Sequence, residues 1–115
     1  MYTLQSALEQ ALFQYYVWAE DIKEWSLNQN DRDTTPYAGY ILLKDNGDIN
    51  YSCFVSNFNI NTKIIGYVDC FYIDKNGEYF FIYQLSKDYT VEHNSLVEYC
   101  KDWDIKMTIR MLKSK

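Results

Sequence analysis

A chain of 115 residues with 48% hydrophobic and 18% aromatic residues buries a core without disulfide or metal staples, which excludes a disordered polypeptide. Its formal net charge of -5 is unevenly placed: residues 1–104 hold all 16 acids and seven of the 11 bases, a net of -9, and residues 105–115 return +4 through Lys106, Arg110, Lys113 and Lys115. Such an acidic body excludes sequence-independent binding to DNA or anionic membranes, because phosphate contacts need clustered Lys and Arg.

Cys53, Cys70 and Cys100 are odd in number and lack CxxC spacing, which points to buried free thiols in a reducing compartment and to no zinc site. The opening MYTLQSALEQ has no basic segment followed by an apolar one. No apolar run approaches the ~20 residues that a membrane helix needs. A cytoplasmic location is therefore expected. Nine Asn and twelve Tyr against one Pro, four Ala and two Arg fit AT-rich coding, as in a low-GC bacterium or its phages and mobile elements.

Residues 3–26 read as one long amphipathic helix, with Leu4, Leu8, Ala11, Leu12, Tyr15, Ala19, Ile22 and Trp25 at helical spacing. Thr3 or Ser6 caps it; Ser6 and Glu9 fit a capping box, whereas a start at Thr3 keeps Leu4 on the stripe. Residues 27–36, LNQNDRDTTP, are an exposed connection closed by Pro36. Residues 39–55 form a hairpin at Asn46-Gly47. A three-residue loop with Gly47 in the left-handed conformation pairs Lys44 with Asp48, Leu43 with Ile49 and Ile41 with Tyr51, and buries one face only. Phe58 and Ile60 of the Asn-rich link 56–62 are expected to tuck inward.

Residues 64–85, IIGYVDCFYIDKNGEYFFIYQL, are the strongest local signal: two apolar and aromatic runs hinged on Asn76-Gly77. A two-residue turn sets Lys75 opposite Glu78, Tyr72 opposite Phe81 and Cys70 opposite Tyr83. It is preferred over a three-residue loop, which opposes Asp74 and Glu78. Val68, Cys70, Tyr72, Phe81, Tyr83 and Leu85 then share one face, and Phe71, Ile73, Phe80 and Ile82 the other. A hairpin apolar on both faces belongs in the middle of a sheet. Residues 91–103 read as a short helix capped by Thr90, with Leu96, Tyr99, Cys100 and Trp103 inward. In DIKMTIRM, Ile105, Met107, Ile109 and Met111 alternate with Lys106, Thr108 and Arg110, the pattern of a half-buried strand. The expectation is an α+β fold: a single domain over 1–115 in the order α-β-β-β-β-α-β, with a five-stranded, mainly antiparallel sheet and helices mostly on one face. A helix before the last strand allows that strand to lie parallel to its neighbour.

The search for chemistry yields no enzyme. His93 is the only histidine; with Glu92 or Glu98 it has the makings of an acid-base pair, but a histidine solvating a first helical turn is the plainer reading. The acids Asp31, Asp33, Asp45 and Asp48 match no EF-hand spacing, and no glycine-rich phosphate loop exists. Asp69, inside an apolar strand, faces Gln84 in the preferred register. No cofactor and no metal are expected.

What remains is a surface. Phe13, Tyr16 and Val17 form a second apolar patch on the first helix, followed by Glu20, Asp21 and Glu24, with Asp31 and Asp33 just beyond. Acids in the last turns of a helix oppose its dipole, so stability alone does not ask for them there. An apolar patch beside an acidic end suits binding to the basic surface of another protein, in the manner of inhibitors, counter-defence proteins or immunity proteins. The alternative is a small-ligand or regulatory domain using an aromatic sheet face around Tyr67, Phe71 and Tyr83. A self-associating structural subunit uses those same aromatics between copies.

Overall fold

The computed structural model describes residues 1–27, 39–53, 61–73, 76–103 and 107–113. Helix α1 (Leu4–Val17) starts at Thr3, whose side chain accepts the Ser6 N–H at 3.2 Å while Ser6 Oγ accepts the Thr3 N–H at 2.8 Å. Thr3 is the cap, and Leu4 stays on the buried stripe. The expected single helix is in fact two. Trp18 leaves helical geometry at φ -91°, ψ 8°, and α2 (Ala19–Leu27) follows. Tyr15, Tyr16, Val17 and Trp18 are four consecutive aromatic or β-branched residues, which lose side-chain freedom against the preceding turn and weaken the helix there. Two hydrogen bonds bracket the break, from Trp18 N–H to the Gln14 carbonyl at 3.1 Å and from Ile22 N–H to the Trp18 carbonyl at 2.9 Å.

Strands β1 (Gly39–Leu43), β2 (Ile49–Ser52), β3 (Lys63–Ile73) and β4 (Tyr79–Leu85) form antiparallel neighbours, and α3 (His93–Tyr99) leads into β5 (Met107–Lys113), which pairs parallel to β4. The sheet order β2-β1-β3-β4-β5 puts the second hairpin in the middle. This is the expected α+β architecture, with the last strand inserted parallel by the helical crossover. The first hairpin keeps its expected register, Leu43 with Ile49 and Ile41 with Tyr51, around Gly47 at φ 91°. Lys44 N–H reaches the Asp48 carbonyl at 2.8 Å, and Asn46 Oδ1 accepts the Asp48 N–H at 3.0 Å.

The second hairpin departs from expectation. Ile73 pairs with Tyr79, Tyr72 with Phe80 and Phe71 with Phe81, one residue off the two-residue-turn register. A second shift falls between Val68 and Cys70, beyond which Val68 pairs with Tyr83 and Tyr67 with Gln84. Asp69 is thus the extra residue of a bulge and does not oppose Gln84. A further shift against β1 passes over Ile65, since Ile41 pairs with Gly66 and Leu42 with Ile64. An extra residue swaps which alternate side chains face the core. Strict alternation from Val68 would send Ile73 outward, yet Val68 and Ile73 are both buried on the core side. The faces inferred for β4 hold; in β3, Ile73 lies on the core face rather than the outer one.

The core lies between the helices and one face of the sheet. Leu8, Leu12 and Tyr15 of α1, Ile22 of α2 and Leu96 of α3 meet Ile41, Val68, Phe81 and Tyr83. Each fully buried aliphatic side chain of this kind stabilises the fold by ~1.5–3 kcal/mol. Tyr15 sits at the centre, its ring edge-on to Phe81 at 5.5 Å and to Tyr51 at 6.3 Å, with its hydroxyl 3.4 Å from that of Tyr51. Burial pushes the Tyr51 hydroxyl up to about 12, against the Tyr15 hydrogen bond. On the opposite face Tyr40 and Tyr67 meet edge-on at 5.7 Å, and Phe80 and Ile82 are half-buried. Leu42 and Ser52 are buried as well, so the expectation that the first hairpin buries one face only does not hold.

The short helix α3 begins at His93 after Glu92, not after a Thr90 cap. In β5, Met107, Ile109 and Met111 are half-buried while Thr108, Arg110 and Leu112 are exposed, the expected alternation. Pro36, Phe58, Ile60, Asp74, Lys75, Ile105 and Lys106 lie outside the described residues.

Candidate functional site

Alternation at three and four residues brings Phe13, Tyr16, Val17, Glu20 and Glu24 into one stripe along α1 and α2. Its apolar part is open to solvent, at 52% exposure for Phe13, 41% for Tyr16 and 58% for Val17. Glu20, Asp21 and Glu24 are exposed as well. Tyr15 and Leu12, their neighbours in sequence, are fully buried on the opposite side of the helix. Six of the eight residues singled out from the sequence are therefore exposed; Asp31 and Asp33 lie outside the described residues.

The structure adds two residues. The Tyr16 ring lies against Trp103 at 4.7 Å with 31° between planes, and Trp103 meets Tyr99 edge-on at 5.5 Å. Trp103 is half-buried against the core, while Tyr99, expected inward, is 39% exposed. The apolar ridge thus runs from α1 onto α3 and the residues that follow it. Sequence reasoning placed both on the inner stripe of a longer helix; α3 ends at Tyr99, and only the docking of α3 beside α1 shows that the pair continues an outer surface. Acids flank the ridge. Burial first and then the Glu9 charge raise the Tyr99 hydroxyl, and burial and then Glu20 do the same at Tyr79.

The helix break alters the electrostatics of the acids. Because the helix breaks at Trp18, Glu20 and Asp21 fall in the first turn of α2 rather than the last turns of one long helix. Negative charge is favoured at that end. Local stability therefore accounts for part of their placement, and only Glu24 remains near a helix C-terminus, where the dipole opposes it.

Other candidates resolve plainly. The His93 ring stacks on Tyr83 with centroids 5.9 Å apart, and Nε2 is 3.5 Å from the Tyr83 hydroxyl, which burial pushes up to about 12. His93 thus packs on the core instead of solvating a helical turn. Cys53 and Cys100 are free, and burial raises the Cys100 thiol, whose Sγ donates to the Leu96 carbonyl at 3.2 Å. Of the aromatic face expected around Tyr67, Phe71 and Tyr83, Tyr67 is 45% exposed, Tyr83 is fully buried in the core, and the Phe71 side chain is not among those described. Among the described residues no three His, Cys, Asp or Glu gather to hold a metal, and no helix is long and apolar enough to cross a membrane.

No family model matches the chain, and no match is found among curated proteins or solved structures. The reading of the surface rests on its own geometry.

Proposed function

We propose that this chain is a small acidic protein-binding module that docks the basic surface of another protein and acts on that partner as an inhibitor or neutraliser. The observation that carries the reading is the ridge of Phe13, Tyr16 and Val17, more than two-fifths exposed at each position and continuous through Tyr16 and Trp103 with Tyr99. Large aromatics grouped on a surface cost solubility and mark contact sites. Burial of such anchors supplies affinity, and the acids at the rim steer a basic partner and select it. A partner that handles nucleic acid, in a phage or other mobile-element setting, has the required basic surface. The reading assigns the chain no catalysis, and the protein works in the cytoplasm.

The test is a comparison of baits in the native host: the whole chain, Phe13→Ala/Tyr16→Ala, and Glu20→Gln/Asp21→Gln/Glu24→Gln. A basic protein held by the whole chain should dissociate roughly tenfold faster or more from the aromatic variant, as expected for loss of anchors. It should associate more slowly with the Gln variant, with the difference shrinking at high salt. A partner that binds all three baits alike ends the proposal.

A further inference from the structure

The carboxyl ends of β4 and β5, the one parallel pair in the sheet, frame a cleft away from the aromatic ridge. Its volume is about 330 Å³, within the range of small-molecule sites. Leu85, Met111 and Leu112 form the floor, and Ser86, Lys87 and Thr90 of the segment leaving β4 form the lip, beside Tyr89. A second hollow of about 170 Å³ shares Leu85 and Ser86 and is lined also by Tyr67 and Gln84. The lip is tied down: Ser86 N–H donates to the Ile65 carbonyl at 2.8 Å, and Tyr89 N–H donates to the Ser86 carbonyl at 3.0 Å. Ile65 is the extra residue of the β1–β3 irregularity, so that bulge fixes where the lip stands.

Position and chemistry agree. In open parallel α/β sheets, ligands settle outside the carboxyl ends of the strands, where a connection leaves the sheet and opens a crevice. Here the β4 to α3 connection does so. The lining is mostly apolar, and Ser86, Lys87 and Thr90 are lining residues that bear hydroxyl and ammonium groups. Among the described residues Lys87 has no ion-pair partner. We infer that this cleft binds a small amphipathic anion, a flat or chain-like apolar body on the floor with its negatively charged head at Lys87, Ser86 and Thr90. The ridge on α1 is a separate surface, so this site stands independently of the partner-binding role.

The test uses the aromatic sulfonate 8-anilinonaphthalene-1-sulfonate, titrated into the isotopically labelled whole chain while backbone amide shifts are followed. Saturable shifts should centre on Ser86, Lys87, Thr90 and Leu112. Lys87→Gln should weaken the Kd roughly fivefold, the order expected for one exposed charge contact. Leu112→Glu, at a position already 39% exposed, should weaken it about tenfold or more by placing a carboxylate beside the head group. Phe13→Ala should leave the Kd unchanged. Shifts centred on Phe13 and Tyr16, an unchanged Kd in Lys87→Gln, or no saturable shift would each overturn the assignment.

Discussion

At the scale of single residues, two kinds of position carry constraints that composition does not reveal. Gly77 has φ 80° with open space around a built Cβ, whereas at Gly66 a Cβ would meet the Gln84 carbonyl oxygen at 2.6 Å and Leu85 Cδ2 at 2.8 Å. Gly77→Ala bears only backbone strain, about 1 kcal/mol. Gly66→Ala must push β3 from β4 in the middle of the sheet, and should cost the larger amount, roughly 1–3 kcal/mol, in urea unfolding. Equal losses would show that the strands separate easily at Gly66. The buried hydroxyls set the second constraint. Tyr51 and Tyr83 stay protonated to about 12 in the folded chain, whereas an exposed tyrosine releases its proton near 10. Between those values the folded state holds protons that the unfolded chain has lost, so stability present below pH 10 falls as pH rises through that window. Urea midpoints from pH 9 to 12 should fall, and Tyr51→Phe should flatten the fall although it also removes the Tyr15 hydroxyl contact. A slope that Tyr51→Phe leaves unchanged would shift the alkaline instability to other groups.

At the scale of elements, the break at Trp18 decides what the acidic residues do. One helix over 3–26 would make Glu20, Asp21 and Glu24 unfavourable, so Gln at all three would be neutral or stabilising. With α2 starting at Ala19, Glu20 and Asp21 occupy a first turn. Glu20→Gln/Asp21→Gln should therefore lower stability by a few tenths of a kcal/mol per residue, while Glu24→Gln leaves it equal or raises it slightly. Thermal melts at low salt check the sign; a stabilised double variant would mean that α1 and α2 act as one dipole across the two bracketing hydrogen bonds.

At the scale of the molecule, the three helices share one face of the sheet and one core, with Leu96 of α3 as buried as Leu8 of α1. A single core unfolds as a unit. One cooperative transition is expected, with the same midpoint with and without reducing agent, because Cys53 and Cys100 are free and Cys100 is buried. Two transitions, or a midpoint that falls in dithiothreitol, would contradict the single-domain and free-thiol readings. One-sided helix cover also leaves Tyr67 of the opposite sheet face 45% exposed.

By itself the sequence determined what local chemistry controls. A helix start at Thr3 or Ser6, Asn46-Gly47 with its left-handed glycine, the alternation of Met107, Ile109 and Met111, and the order of elements are all consequences of spacing and turn chemistry. The acids and apolar patch on the first helix were legible for the same reason, since helical period alone puts Phe13, Tyr16 and Val17 opposite Leu12 and Tyr15. Only the tertiary structure decided the bulges at Ile65 and Asp69 and the meeting of Tyr16 with Trp103. Each depends on contacts between segments distant in the chain or on competition between them: a strand gains an extra residue where its two neighbours demand different registers, and an aromatic turns inward or outward according to which helix docks beside it.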